Sequence, residues 1–87
     1  MNSDLQTFRL KLDKIDRSIM GFLAERCEIA RLIGEHKRAQ EISVEDPNRE
    51  SVMRQERKRF ASEHGLDFDF VEAVFSLLIQ ESKHLQL

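Results

Sequence analysis

Residues 5–37 read LQTFRLKLDKIDRSIMGFLAERCEIARLIGEHK, and this stretch decides the fold. Leu5, Phe8, Leu12, Ile15, Ile19, Phe22, Ile29 and Ile33 recur at alternating spacings of three and four, the stripe of a helix that packs on other helices. The stripe persists from about Asp4 to about Gln40, with Ser3 or Asp4 available as the cap. At ~1.5 Å per residue such a helix exceeds ~50 Å, longer than a small domain is wide. The roughly 40 remaining residues cannot cover it, so a second copy of the chain is expected. Gly21 and Gly34 interrupt the pattern at ~1 kcal/mol each relative to Ala, and close helix approach is the usual reason for such a residue.

The position that completes the stripe between Phe22 and Ile29 is Arg26. A guanidinium on a packed seam costs several kcal/mol unless an anion meets it. Lys37 lies eleven residues on, ~16 Å of rise and nearly three whole turns, and therefore faces the same way. Two cations on an interior face suggest a pocket for a small anion. Arg9 borders the same stripe, but seventeen residues before Arg26, ~25 Å away and ~100° out of phase. It reaches the Arg26 pocket only from an antiparallel partner helix; on the residues alone it reads as a surface arginine.

Outward from this helix, residues 41–45 read as a loop, and Asp46 caps a second helix with Pro47 at its first position. That helix runs to about His64, and Gly65 suits its end. Asp67 opens a third helix whose stripe, Val71, Val74, Phe75, Leu78 and Leu85, is broken by Ser82, with Gln86 four residues further on the same face. Asp46, Arg49 and Glu50 cluster in the first turn of the second helix, where acids suit the capping and the dipole, and where both acids can reach one hydroxyl. No strand is expected. The fold class is all-α, three helices with a very long first one, forming a single domain over residues 1–87.

The bulk composition limits the function. A net charge of −2 leaves no basic surplus for nucleic acid, and no apolar run approaches the ~20 residues that cross a membrane. Cys27 is the one cysteine, so no internal disulfide forms. The first four residues lack the basic and apolar segments of a signal peptide, and the expected compartment is the cytoplasm. His36, His64 and His84 have no metal-ligand spacing, and solvated positions are expected for them. No phosphate loop or nucleophile motif occurs, so neither cofactor nor metal is expected. Cations, acceptors and neutral donors remain, which suit binding, or catalysis by shape and electrostatics.

Five runs carry a resemblance to a known family. They are Leu12-Asp13-Lys14-Ile15-Asp16, Leu23-Ala24-Glu25-Arg26, Ile33-Gly34-Glu35-His36-Lys37, Val44-Glu45-Asp46-Pro47-Asn48-Arg49-Glu50 and Phe75-Ser76-Leu77-Leu78-Ile79-Gln80-Glu81-Ser82 with Gln86. In this order and spacing the chain resembles the all-α (AroQ-type) chorismate mutases over essentially its whole length. The resemblance implies an intertwined homodimer with paired first helices, and conversion of chorismate to prephenate. It implies that Arg26 binds a substrate carboxylate, that Arg9 reaches in from the partner subunit, and that Lys37 contacts a carboxylate and the ether oxygen. Gln86 is then a second donor to that oxygen. Asp46 and Glu50 lie near the ring hydroxyl with Arg49 supporting them, and Ser82 lies near a carboxylate. Ser43 departs from the family, where many members have proline; this affects loop stiffness. Isochorismate-pyruvate lyases and 4-amino-4-deoxychorismate mutases share the fold, but the lyases lack the Asp46…Arg49-Glu50 arrangement and the amino-substrate mutases usually differ around the ring substituent. A non-catalytic helical dimerisation or regulatory module is the reading from another class.

Overall fold

A computed structural model describes residues 2–87. Helix α1 spans Asn2–Ala39, α2 spans Pro47–Glu63 and α3 spans Phe68–Gln86, with no strand among the described residues. The molecule measures 59 × 26 × 15 Å, with the length supplied by the 38-residue α1.

The helix ends follow from side-chain chemistry. Asp46 accepts from the Arg49 backbone N–H at 3.2 Å with Pro47 directly behind it, and Asp67 accepts from the Asp69 N–H at 3.1 Å. Helix α2 ends at Gly65, whose φ of 66° lets the Leu66 N–H turn back to the Ala61 carbonyl at 2.9 Å. Helix α1 ends in the same wrap, the Ile42 N–H reaching the Lys37 carbonyl at 2.8 Å. There the left-handed position falls to Glu41, at φ 55°, where a side chain carries a strain that Gly65 avoids. One expectation is corrected. Because α1 already includes Asn2, Ser3 and Asp4 sit inside its first turn; Ser3 offers its carbonyl to the Thr7 hydroxyl at 2.8 Å and caps nothing.

Helix α3 packs on both α1 and α2, which make no close backbone approach to each other among the described residues. The interior is thin: Ala30 and Ala61 are the buried apolar residues. At Gly34 the backbones of α1 and α3 are in close contact. A Cβ added there would lie 2.6 Å from the Gln86 Cα, which leaves no room for a side chain. Gly21, in contrast, has nothing within 4 Å inside this chain, so the close approach expected there is not made within one copy. The Arg38 guanidinium donates to the Gln86 carbonyl at 2.7 Å and holds the end of α3 onto α1. Arg54 and Arg57 of α2 grip Glu72 of α3 at 3.2 and 2.7 Å, while lying over Phe68 and Phe75.

The first half of α1 touches neither other helix closely. Leu5, Phe8, Leu12, Ile15, Ile19 and Phe22 are all exposed, Phe22 to 68%. The chain exposes 7410 Å², about 2,100 Å² more than a compact monomer of 10.2 kDa.

Candidate active site

The α1 stretch from Arg26 to Lys37, the 41–46 loop, the first turns of α2 and the last turns of α3 enclose a cavity of about 460 Å³. Seven of the eight residues singled out from the sequence line it: Arg26, Lys37, Asp46, Arg49, Glu50, Ser82 and Gln86. Between them Ile29, Ile33, Val44 and Ile79 make apolar walls. The eighth, Arg9, is exposed on the bare half of α1 and lies outside this cavity.

Arg26 is half-buried, and its guanidinium donates to the Leu78 carbonyl at 3.0 Å and to the Ser82 hydroxyl. Both acceptors are neutral. They hold the plane of the group and leave its charge uncompensated. Lys37 is also half-buried and donates to the Val44 carbonyl at 3.1 Å, another neutral acceptor. Among the described residues Arg26, Lys37 and Arg49 make no ion pair with a carboxylate. Three cations thus share one concavity with their charge available, in a chain whose net charge is −2.

Gln86 is the buried polar residue of the site, and its Oε1 has no hydrogen-bond partner among the described residues. Buried amide groups are normally satisfied, so this Oε1 is an acceptor with unmet capacity on the cavity wall. The amide carries both an acceptor and two donors.

The acids are arranged differently from the expectation. Asp46 is occupied in part by its capping bond to the Arg49 backbone. Glu50 is held by Lys83 of α3, at 2.9 Å, and not by Arg49, whose side chain makes no ion pair with either acid among the described residues. Lys83 also reaches Glu45 at 3.0 Å. The hydrogen bonds that Lys83 donates to Glu50 and then to Glu45 raise its pKa, so its ammonium stays charged throughout the neutral range. Lys83 and Arg57 both line the cavity and were missed in the sequence. Arg57 had a signal: Glu50, Met53 and Arg57 recur at three and four on one face of α2. Lys83 had none beyond following Ser82, because its partners lie 33 and 38 positions away.

The expected solvation of the histidines is met, since His36, His64 and His84 are all exposed. No helix among the described residues is long and apolar enough to cross a membrane.

Comparison with known proteins bears on the same residues. The family model described as chorismate mutase type II matches residues 8–87. The chain belongs to the chorismate mutase type II family. A chorismate mutase of Methanocaldococcus jannaschii is 33% identical over 86 residues, 99% of this chain and 87% of its own. A 4-amino-4-deoxychorismate mutase of Streptomyces pristinaespiralis is 28% identical, over 94% of this chain and 64% of its own. An isochorismate pyruvate lyase of Pseudomonas aeruginosa is 36% identical, over 86% of this chain and 73% of its own. Overall identity therefore separates the activities of these three relatives poorly.

Proposed function

We propose that this chain is a chorismate mutase, rearranging chorismate to prephenate, and that Arg26, Lys37, Asp46, Arg49, Glu50, Ser82 and Gln86 form its substrate site. The observation that carries this reading is the uncompensated charge of Arg26 and Lys37 facing one cavity that Gln86 also lines. Chorismate brings two carboxylates, one ether oxygen and a ring hydroxyl. Arg26, held flat by Leu78 and Ser82, receives one carboxylate; Lys37 meets a carboxylate and the ether oxygen.

The reaction breaks one C–O bond and forms one C–C bond inside a single molecule, with no proton transfer and no covalent intermediate. A site without a nucleophile suits it. Fixed cations hold the enolpyruvyl side chain folded over the ring, a geometry free substrate seldom adopts. As the C–O bond lengthens, negative charge grows on the ether oxygen, and donors placed there act more strongly on the transition state than on the substrate. Lys37 and a Gln86 N–H supply those donors. Glu50, with one oxygen held by Lys83, accepts from the ring hydroxyl with the other, and Asp46 lies beside it.

The functional unit in this proposal is a homodimer of single-domain chains, with the first half of α1 laid against its copy. The excess exposure of about 2,100 Å² per chain, paired across a two-fold axis, falls in the range of obligate homodimers. An antiparallel copy also brings the partner's counterpart of Arg9 toward the Arg26 cavity, to bind a second carboxylate. The lone, free Cys27 fits a cytoplasmic setting, which completes the proposal.

The test is product identification after separate incubation with chorismate and isochorismate. Prephenate from chorismate, with little pyruvate from isochorismate, is the expected result. Pyruvate and salicylate at the higher rate would instead make the chain a lyase, the reading favoured by its 36% identity to the Pseudomonas aeruginosa protein.

A further inference from the structure

Among the described residues, Lys83 is the one cation in the cavity wall that grips an acid of the cavity itself. Its Nζ lies 2.9 Å from Glu50 Oε1 and 3.0 Å from Glu45 Oε2. Arg57, the other paired cation there, spends its charge on Glu72, away from the cavity lining. The Lys83 bridge therefore divides the two properties of Glu50. It leaves a carboxylate oxygen free to accept a hydrogen bond, and it sets one positive charge behind that oxygen, shared with Glu45, which reduces the negative charge there.

That division matters for what can stand opposite Glu50. A ring hydroxyl needs an acceptor and no charge. An aliphatic amine in the same place is protonated at neutral pH and needs an uncompensated anion. Here it would meet Lys83 across Glu50, with Arg26, Lys37 and Arg49 adding further positive charge from the same cavity. Asp46 is the remaining acid, and one of its oxygens is already spent on the Arg49 backbone N–H.

We propose that Lys83 is a specificity-determining residue, which by holding Glu50 biases the site toward a substrate with a ring hydroxyl and against one with a ring ammonium. This rests on the mutase reading above, in which Glu50 faces the ring substituent. Rejection here works through charge, not shape. Glu50 and Lys83 retain partial access to solvent, at 41% and 32%, so screening moderates the effect.

The experiment measures kcat/KM for chorismate and for 4-amino-4-deoxychorismate with the wild-type chain and with Lys83→Met, Lys83→Gln and Lys83→Arg. The expected result is that the wild type prefers chorismate. The ratio then swings toward the amino substrate by about tenfold in the Met and Gln variants and holds in Arg, which keeps the charge. Lys83 also ties the 41–46 loop to α3 through Glu45. If that tether is its whole role, both substrates lose kcat/KM in parallel and the ratio stays fixed, which overturns the proposal. A wild type that prefers the amino substrate overturns it as well. Thermal melts by circular dichroism verify folding, and Gln, which retains a donor for Glu50, serves where Met does not fold. Chorismate turnover with an unmoved ratio removes this inference alone; no turnover of chorismate by the wild type removes the mutase reading and this inference with it.

Discussion

The two halves of α1 are one continuous helix with the same apolar periodicity, yet they live in different surroundings. From Arg26 onward the helix meets α3 along Ala30, 4% exposed, and Gly34, which lies against the Gln86 backbone; there the cations line a cavity, with Ile29 and Ile33 of the stripe walling it while still exposed. Before Phe22 the stripe meets nothing in its own chain, and Phe8 is 60% exposed. The lesson is that periodicity specifies a face and says nothing of what covers it. The second half is a cavity wall; the first half is a bare apolar surface that carries Arg9, and the proposed function lays a copy of the chain against it.

The sharpest way to break this contrast is to remove the charge at the end of the second half. Lys37→Ala is expected to lower kcat by about 10²–10³-fold with a smaller change in KM, as for loss of a donor to a developing oxyanion. Near-normal turnover by steady-state kinetics would remove Lys37 from the reaction. Next comes the first half: Ile15→Asp puts a charge on the bare stripe and should convert a dimer to an unstable, inactive monomer, read by sedimentation equilibrium. An unaltered mass and activity would show that the stripe needs no partner. A finer test mixes Arg9→Ala with Arg26→Ala chains. Each is expected to be nearly inactive alone, and subunit exchange should restore activity, because a mixed dimer holds one site with both arginines intact. No restoration would place Arg9 outside the site.

The two glycines divide the helix at smaller scale. Gly34→Ala should push the Gln86 backbone away and lower kcat by about tenfold, although Ala is the better helix former by ~1 kcal/mol. Gly21→Ala, open within one chain, is expected to raise the melting temperature if the first half is free there, and to lower it if a partner helix packs closely. The smallest effect concerns α2 on α3. Hydrogen bonds from Arg57 above all hold the Glu72 carboxyl below its ordinary pKa, with the charges of Arg57 and Arg54 adding to this. A folded pKa below the unfolded one means stability that is present above the unfolded value and lost as pH falls through the folded one. Glu72→Gln should therefore flatten the acid limb of the melting temperature, by a small amount because the pair is still in part open to solvent.

Much of this was legible in the residues. Asp46-Pro47, Gly65 and Asp67 marked their helix ends because capping is local chemistry, decided within four positions. Arg26 and Lys37 were legible because a charge on an apolar stripe is an anomaly that one helix reveals. The start of α1 was misplaced by two residues, since Ser3 has the chemistry of a cap but sits already wound into the helix. The support of Glu50 was assigned to Arg49, its neighbour in the chain, whereas Lys83 from α3 provides it.

The sequence by itself determined three helices, their limits apart from the start of α1, and the polar residues that break their apolar faces. All of these depend on neighbours within a few turns, and 3.6-residue periodicity converts spacing directly into direction. Only the tertiary structure decided which neutral groups would hold Arg26 and Lys37, that Gly34 and not Gly21 touches α3, and that Lys83 would answer Glu50. Those pairings join residues far apart in the chain, and their energy exists only once α3 has brought distant side chains within ~4 Å of one another.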